Sequence, residues 1–390
     1  MQDVTTAAIR VFKERFAGGD CHVGWSPGRV NLIGEYTDLN SGYVMPMAID
    51  RGIAVVLRPR SDRNINAYSV SLDAAFTHVL ETDLSDSEPW VRYVAGTIEL
   101  ARREGCEVEG CDVVVHANLP ASGGLSSSAA LTTAICLALR QSYGWSIADE
   151  DVARLCQQVE HQYLNVLCGL MDQLACLLTR RDTAVFVDCG TLAHELVPFA
   201  EELGILIVDS GVDRALHSSA YNARRQECHD ACSHLVSQGY DIRHLSDINA
   251  NKLTRALVDL PDPLANRVRH VVTENERTLA AKKAMVDNDP QHLGELMLGS
   301  HASLRDDFKV SVAELDFIVD SAMHSGLAYG ARLSGAGFGG NAIVLAQRGQ
   351  LNDLRDQIGE RFRAQFSRIP DMYEVGRTNE ASAMSLGIED

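Results

Sequence analysis

The chain has 390 residues, 46% apolar and 23% charged, with 53 Asp and Glu against 35 Lys and Arg and a formal net charge of −18. A chain this long spreads its apolar surface over more than one core, so two domains are expected. So acidic a balance argues against nucleic acid or an anionic membrane as partner, because both need basic surface. Any site for an anionic ligand such as a nucleotide would have to be made locally positive by backbone N–H groups, a few basic side chains and a metal ion.

The ten cysteines form no C-x-x-C pair, and several sit in apolar runs, Cys136 in AICLAL and Cys176 in LACLL. Used this way they are small apolar residues of a reducing compartment. Cys228, His229 and Cys232 lie within one helical turn, but no second ligand pair follows at zinc spacing. The opening MQDVTTAAIRVFKERF mixes charge with apolar residues and lacks the apolar centre of a leader. No run approaches the roughly 20 apolar residues that span a bilayer. A cytoplasmic location is expected.

In chain order, 53–57 (IAVVL) and 111–117 (CDVVVHA) read as strands, and 90–103 between them as an amphipathic helix. Residues 125–139 are apolar on nearly every face, which predicts a buried helix. Residues 147–166 carry Val152, Leu155, Cys156, Val159 and Tyr163 on one helical stripe. The segments 183–188 (TAVFVD) and 204–209 (GILIVD) are strand-like again. The second half is more helical, over 220–238, 253–257, 263–285 and 290–304. It closes on strand, Gly-rich loop and strand at 327–333 and 341–346. A boundary near residue 200 gives domains 1–200 and 201–390. The mixture lacks a strict βαβ rhythm, so α+β layers are expected.

Five stretches carry the chemistry. Residues 119–130 (LPASGGLSSSAA) join the strand 111–117 to the buried helix. Gly123 and Gly124 let backbone approach a ligand, and Ser126, Ser127 and Ser128 put hydroxyls and free N–H groups at a helix N-terminus. The plainer alternative is a capped helix after a glycine turn. Neither a Walker A ending nor a dinucleotide fingerprint is present. The second cluster, LSGAGFGG at 333–340, suits close backbone approach or a simple hairpin turn. Asp172, in the apolar run CGLMDQLACLL, is costly to bury unless paired or used as a base, or it caps a helix. Glu160 stands at the rim of its helical stripe, available to a hard cation together with a Ser hydroxyl, or else merely solvated. Last, Arg29, Glu35 and Asp38 crowd one loop-like stretch, suited to sugar hydroxyls and a developing phosphoryl charge, or to a surface salt bridge.

Three ordered segments resemble one family. PGRVNLIGEYTDLNSGYVMPMAI is similar to the sugar signature of the galactokinases, LPASGGLSSSAAL to the phosphate loop of GHMP small-molecule kinases, and RLSGAGFGGNAIVL to their third motif. VEHQYLNVLCGLMDQ and HSSAYNARRQEC fall in the matching order, so the likeness runs from about residue 20 to 345. It implies the two-domain GHMP fold with the active site in the inter-domain cleft. The reaction implied is transfer of the ATP γ-phosphoryl to the C1 hydroxyl of α-D-galactose. By the same resemblance Asp172 is the catalytic base with Arg29 beside it, and Glu35, Tyr36, Asp38 and Tyr221 contact the sugar. Gly123, Gly124, Leu125, Ser126, Ser127 and Ser128 hold the nucleotide, and Ser128 with Glu160 holds Mg²⁺.

Departures from the family pattern bear on substrate choice. Tyr36 stands where His is usual, Leu39 where Tyr is, Ser41 where Gly is, and Asn165 and Leu167 replace a common Gly and Pro. Tyr36 is bulkier than His and carries no positive charge, which bears on recognition at C6. The alternatives are another sugar or sugar-acid 1-kinase, or a regulator that binds galactose and ATP without turnover. Partners are expected to be the sugar and ATP, on a monomer or at most a weak homodimer.

Overall fold

The computed structural model describes residues 2–16, 20–119, 124–212, 217–376 and 380–386. The first half runs α1 (Gln2–Phe16), β1 (Cys21–Asn31), β2 (Tyr43–Val44), β3 (Pro46–Arg60), β4 (Asn64–Ser69), β5 (Ala74–Val79), α2 (Pro89–Arg103) and β6 (Gly110–Ala117). It continues with α3 (Ser127–Tyr143), α4 (Asp149–Leu164), α5 (Met171–Leu178), β7 (Thr183–Asp188), β8 (His194–Pro198) and β9 (Leu203–Asp209). The second half adds α6 (His217–Ser237), α7 (Ala250–Val258), α8 (Leu264–Val286), α9 (Pro290–Asp306), α10 (Ala313–His324), β10 (Ala328–Ser334) and β11 (Asn341–Gln347). It ends with α11 (Leu351–Phe366), β12 (Met372–Glu374) and β13 (Ser382–Leu386).

Local chemistry explains where the helices of the site begin. The run Asp149, Glu150, Asp151 puts three carboxylates in the first turn of α4, against the positive end of its dipole. Helix α9 opens with Pro290, and the Asp289 side chain accepts the His292 N–H. Helix α3 is buried from Ala129 to Leu139, as its all-round apolar sequence requires.

Among the described residues the strands form three sheets, ordered β13-β1-β3-β6-β4-β5, β10-β11-β9-β12 and β2-β7-β8. Pairing is antiparallel except between β4 and β6, which is an α+β arrangement. Helix α3 lies on β1 so closely that a Cβ at Gly24 would overlap the Ala134 carbonyl. The division near residue 200 is crossed twice. Leu203, Ile205, Leu293 and Ile343 share a core with Val55 and Ala134. Strand β13 pairs with β1 at the edge of the first sheet. A second unit written as 201–390 therefore has to return its last strand to the first. A second core, with Val268, Phe308, Leu333 and Phe362, lies among α6 to α11 and the β10–β11 hairpin, and a smaller third one joins Phe12 of α1 to Trp25 of β1 and Val56 of β3.

Gly24→Ala should cost roughly 3 kcal/mol, the upper range for overpacking, since the obstacle is backbone. Urea unfolding checks this, and an unchanged midpoint would mean that α3 does not seat on β1.

Candidate active site

Strand β1 delivers Arg29 into the interior, where it is only 4% exposed. A guanidinium so deprived of water needs partners on every side. It has them: Nε and Nη2 donate to Asp172 Oδ1 at 2.8 and 2.6 Å, and Nη1 donates to the Gly124 carbonyl at 2.8 Å. The Arg29 N–H also donates to the Leu125 carbonyl at 3.1 Å. Burial works against the guanidinium charge, but Asp172 and Glu35 outweigh it and hold Arg29 above its usual range. One side chain thus ties Asp172, in the first turn of α5, to the Ser-rich turn.

That turn enters α3 through Ser126, whose φ of 60° is left-handed and whose hydroxyl is buried with no partner among the described residues. Ser127 and Ser128 open the helix. Leu125 is 2% exposed, so its side chain belongs to the core and only its backbone faces the site. Gly123 lies outside the described residues. Ser128 Oγ donates to Glu160 Oε1 at 2.9 Å, joining the start of α3 to the end of α4. Tyr93, on α2, donates to Glu160 Oε2 at 3.4 Å. The sequence reading missed it, because nothing in the spacing of α2 relates Tyr93 to a carboxylate on another helix.

The carboxylates near Arg29 act on one another, the Asp172 charge being felt by both Glu160 and Asp38. Burial pushes Glu160 up to about 7, with Asp172 adding to the rise and Ser128 opposing it. Burial likewise pushes Asp38 up to about 7, reinforced by Asp172 and Glu35 and opposed by the backbone amides of Leu39 and Met171. Both groups hold a proton more tightly in the folded chain than in the unfolded one. Their contribution favours the fold below an unfolded pKa of about 4 and is lost as pH rises through about 7. Asp38 packs against Gly169 so tightly that a Cβ there would overlap its Oδ2.

The sugar-signature turn reaches the third motif. Glu35 Oε1 accepts the Gly335 N–H at 2.6 Å and lies 3.4 Å from Arg332 Nη2. Burial raises the Glu35 carboxyl, with Arg332 and Arg29 opposing. Tyr36, at a φ of 65°, donates its hydroxyl to the Ala336 carbonyl at 2.5 Å. Its ring packs on Tyr221 and Phe308 with centroids 5.3 and 4.5 Å away. Tyr221, on α6, is raised well above the usual phenol range by burial and by the Asp38 charge. The loop 335–340 takes positive φ at Gly335, Gly337, Phe338, Gly339 and Gly340. Such a loop can bring its amides against Glu35 without a Cβ in the way.

Two of the departures have a structural reason. Asn165 ends α4 in the left-handed region at a φ of 56°, a conformation that Asn tolerates where Gly is usual. Leu167 supplies an N–H that proline would lack, and it donates to Asn222 Oδ1 at 3.4 Å, while Arg225 Nη1 donates to the Leu167 carbonyl at 2.8 Å. Helix α6 thereby holds the loop that leads to Asp172. Cys228 and Cys232 join no cluster of metal-ligating side chains among the described residues. Among those residues, no helix is long and apolar enough to cross a membrane.

A model of the galactokinase galactose-binding signature matches residues 10–59, one of the GHMP kinases N terminal domain matches 92–180, and one of the GHMP kinases C terminal matches 281–364. The galactokinase of Roseiflexus sp. (strain RS-1) is 38% identical over 349 residues, 89% of each chain. That of Thermococcus kodakarensis is 37% identical over 352 residues, 90% of this chain and 97% of the relative. The crystal structure of Lactococcus lactis galactokinase complexed with galactose superposes with a TM-score of 0.92 at 32% identity, covering 97% of this chain and 99% of that one. A mevalonate kinase at a TM-score of 0.66 and 18% identity shares the fold alone. The chain belongs to the galactokinase family of the GHMP kinases.

Proposed function

We propose that this protein transfers the γ-phosphoryl of ATP to the C1 hydroxyl of galactose, giving galactose 1-phosphate and ADP. The observation that carries the proposal is the Arg29 fork, which sets Asp172 beside the turn where α3 offers its free amides. In this reading the sugar oxygen bonds to the γ-phosphorus, the bond from that phosphorus to the β–γ bridging oxygen breaks, and ADP leaves. The hydroxyl proton passes to Asp172. Both Arg29 contacts fall on Oδ1, so Oδ2 is assigned to the acceptor hydroxyl. Asp172 need not be a strong base, because in a loose transition state the hydroxyl loses its proton late and positioning dominates.

Asp38 and Tyr221 are assigned to sugar hydroxyls, with Glu35 contributing the carboxylate oxygen not held by Gly335. Gly124, Ser126 and Ser127 are assigned to the nucleotide phosphates, the orphaned Ser126 hydroxyl being the donor most in need of an acceptor. The donor set fits Mg²⁺. Glu160 is buried and raised, joined to Ser128 with no cation bonded to it among the described residues, and a hard divalent ion takes such oxygens together with phosphates. When bound, the ion would neutralise charge on the phosphate oxygens. Ser128 and Glu160 would hold it, with Tyr93 steadying the carboxylate.

A coupled ADP-release assay over galactose, glucose, 6-deoxygalactose and galacturonate tests the substrate. Galactose should lead, and turnover with galacturonate alone would favour the sugar-acid reading that Tyr36 raises. Asp172→Asn should lower kcat by about 10²- to 10⁴-fold while ATP affinity stays within about twofold. Equal loss of both would make the aspartate structural. Below pH 7 the free protein carries a proton on Glu160 that a cation must displace. Calorimetry of MgATP binding near pH 6 should therefore show release of up to about one proton, absent in Glu160→Gln. Identical release in the two proteins would remove Glu160 from the metal site.

A further inference from the structure

Helix α8 carries His270, Glu274 and Thr278 at four-residue intervals, one stripe on one face, with Asn275 beside it. This stripe lies against the turn that bears Glu35 and Asp38. Glu274 is fully buried, and its Oε1 accepts the N–H groups of Gly34 at 3.0 Å and Glu35 at 3.4 Å, together with the Ser300 hydroxyl at 2.6 Å. Its Oε2 accepts from Arg277 Nε at 2.8 Å. His270 Nε2 donates to the Glu35 carbonyl at 3.0 Å. Asn275 Oδ1 accepts the Tyr43 N–H at 2.9 Å, and its amide donates to Ser246 at 2.9 Å. Both polar groups of the Glu35 backbone, and both ends of the turn from Gly34 to Tyr43, are thus held by one helix of the second half.

We infer that Glu274, assisted by His270 and Asn275, is a positioning residue for sugar binding: it fixes the turn carrying Glu35 and Asp38 without touching substrate. The inference rests on reading that turn as the sugar site. A buried carboxylate accepting two backbone N–H groups makes a strong, directional clamp, and removing it strands those donors away from water. The charge is secure. Against burial, Arg277 and His270 hold the Glu274 carboxyl down at about 2. Burial pushes His270 down to about 4, so near neutral pH it is the uncharged imidazole whose Nε2–H meets the carbonyl. The phosphate-binding turn has no contact of this kind with the stripe among the described residues, so the effect should fall on the sugar and spare the nucleotide.

The full chain carrying Glu274→Gln keeps an acceptor of the same shape and loses the charge facing Arg277. Its sugar KM should rise by about tenfold, with ATP KM within about twofold. Hydrogen–deuterium exchange should quicken in peptides covering 32–44 and stay unchanged in those covering 127–143. Ser300→Ala, which removes one donor to the same carboxylate, keeps the test open if the first variant fails to fold, with the same pattern at about threefold. Faster exchange in 32–44 with an unchanged sugar KM would overturn the inference, as would equal rises in both KM values, the mark of general loosening. Should the wild type turn over no sugar, the kinase reading falls instead. The exchange arm needs no substrate, and it would still refute the clamp if 32–44 stayed as protected as before.

Discussion

A guanidinium withdrawn from water must be matched by acceptors fixed in place, and the site is organised around that requirement. Arg29 binds the Asp172 carboxylate with two of its nitrogens and the Gly124 carbonyl with the third. A buried charge left without its partners is among the more damaging defects a fold can carry. The strand β1, the start of α5 and the turn before α3 are therefore held together by the same side chain that the proposed chemistry calls on. Geometry for phosphoryl transfer and stability of the first half are one constraint here.

The surplus of acids around that cation sets the second constraint. Asp172 is paired, while burial pushes Asp38 and Glu160 up to about 7, with the Asp172 charge adding to the rise in both. A net charge of −18 did not forbid a nucleotide site; it moved the burden onto amides, one arginine and the cation that Glu160 is suited to hold. The free site is electrostatically unfinished, and its substrates would complete it.

Much of this could be read from the sequence because it is local chemistry. Two glycines and three serines between a strand and an apolar helix mark a turn with free amides, and Asp172 in an apolar run announces a carboxylate with a purpose. The long periodic helices, α2, α4, α8 and α9, were legible for the same reason. Other features depend on pairings that spacing does not encode. Glu35 finds Gly335 three hundred residues away, and Tyr36, expected at the sugar, spends its hydroxyl on Ala336. Strands β4 and β5 are short and flanked by polar residues, so their alternation was too brief to notice. The stripe of His270 and Glu274 sits in HVVTENER, which reads as an ordinary helix face until the turn that it grips is placed beside it. Leu125 fell inside a motif but serves the core, since a motif names a stretch of backbone and not the direction of each side chain.

The last strand closes the outer edge of the sheet whose next member carries Arg29. During synthesis, then, β1 waits with one row of amides and carbonyls unpaired until residues 382–386 have left the ribosome. An unpaired edge of that length is a template for association with other chains. Production of the enzyme should therefore depend on chaperone capacity more than its buried core alone would suggest, and chains stopped short of residue 382 would be expected to aggregate.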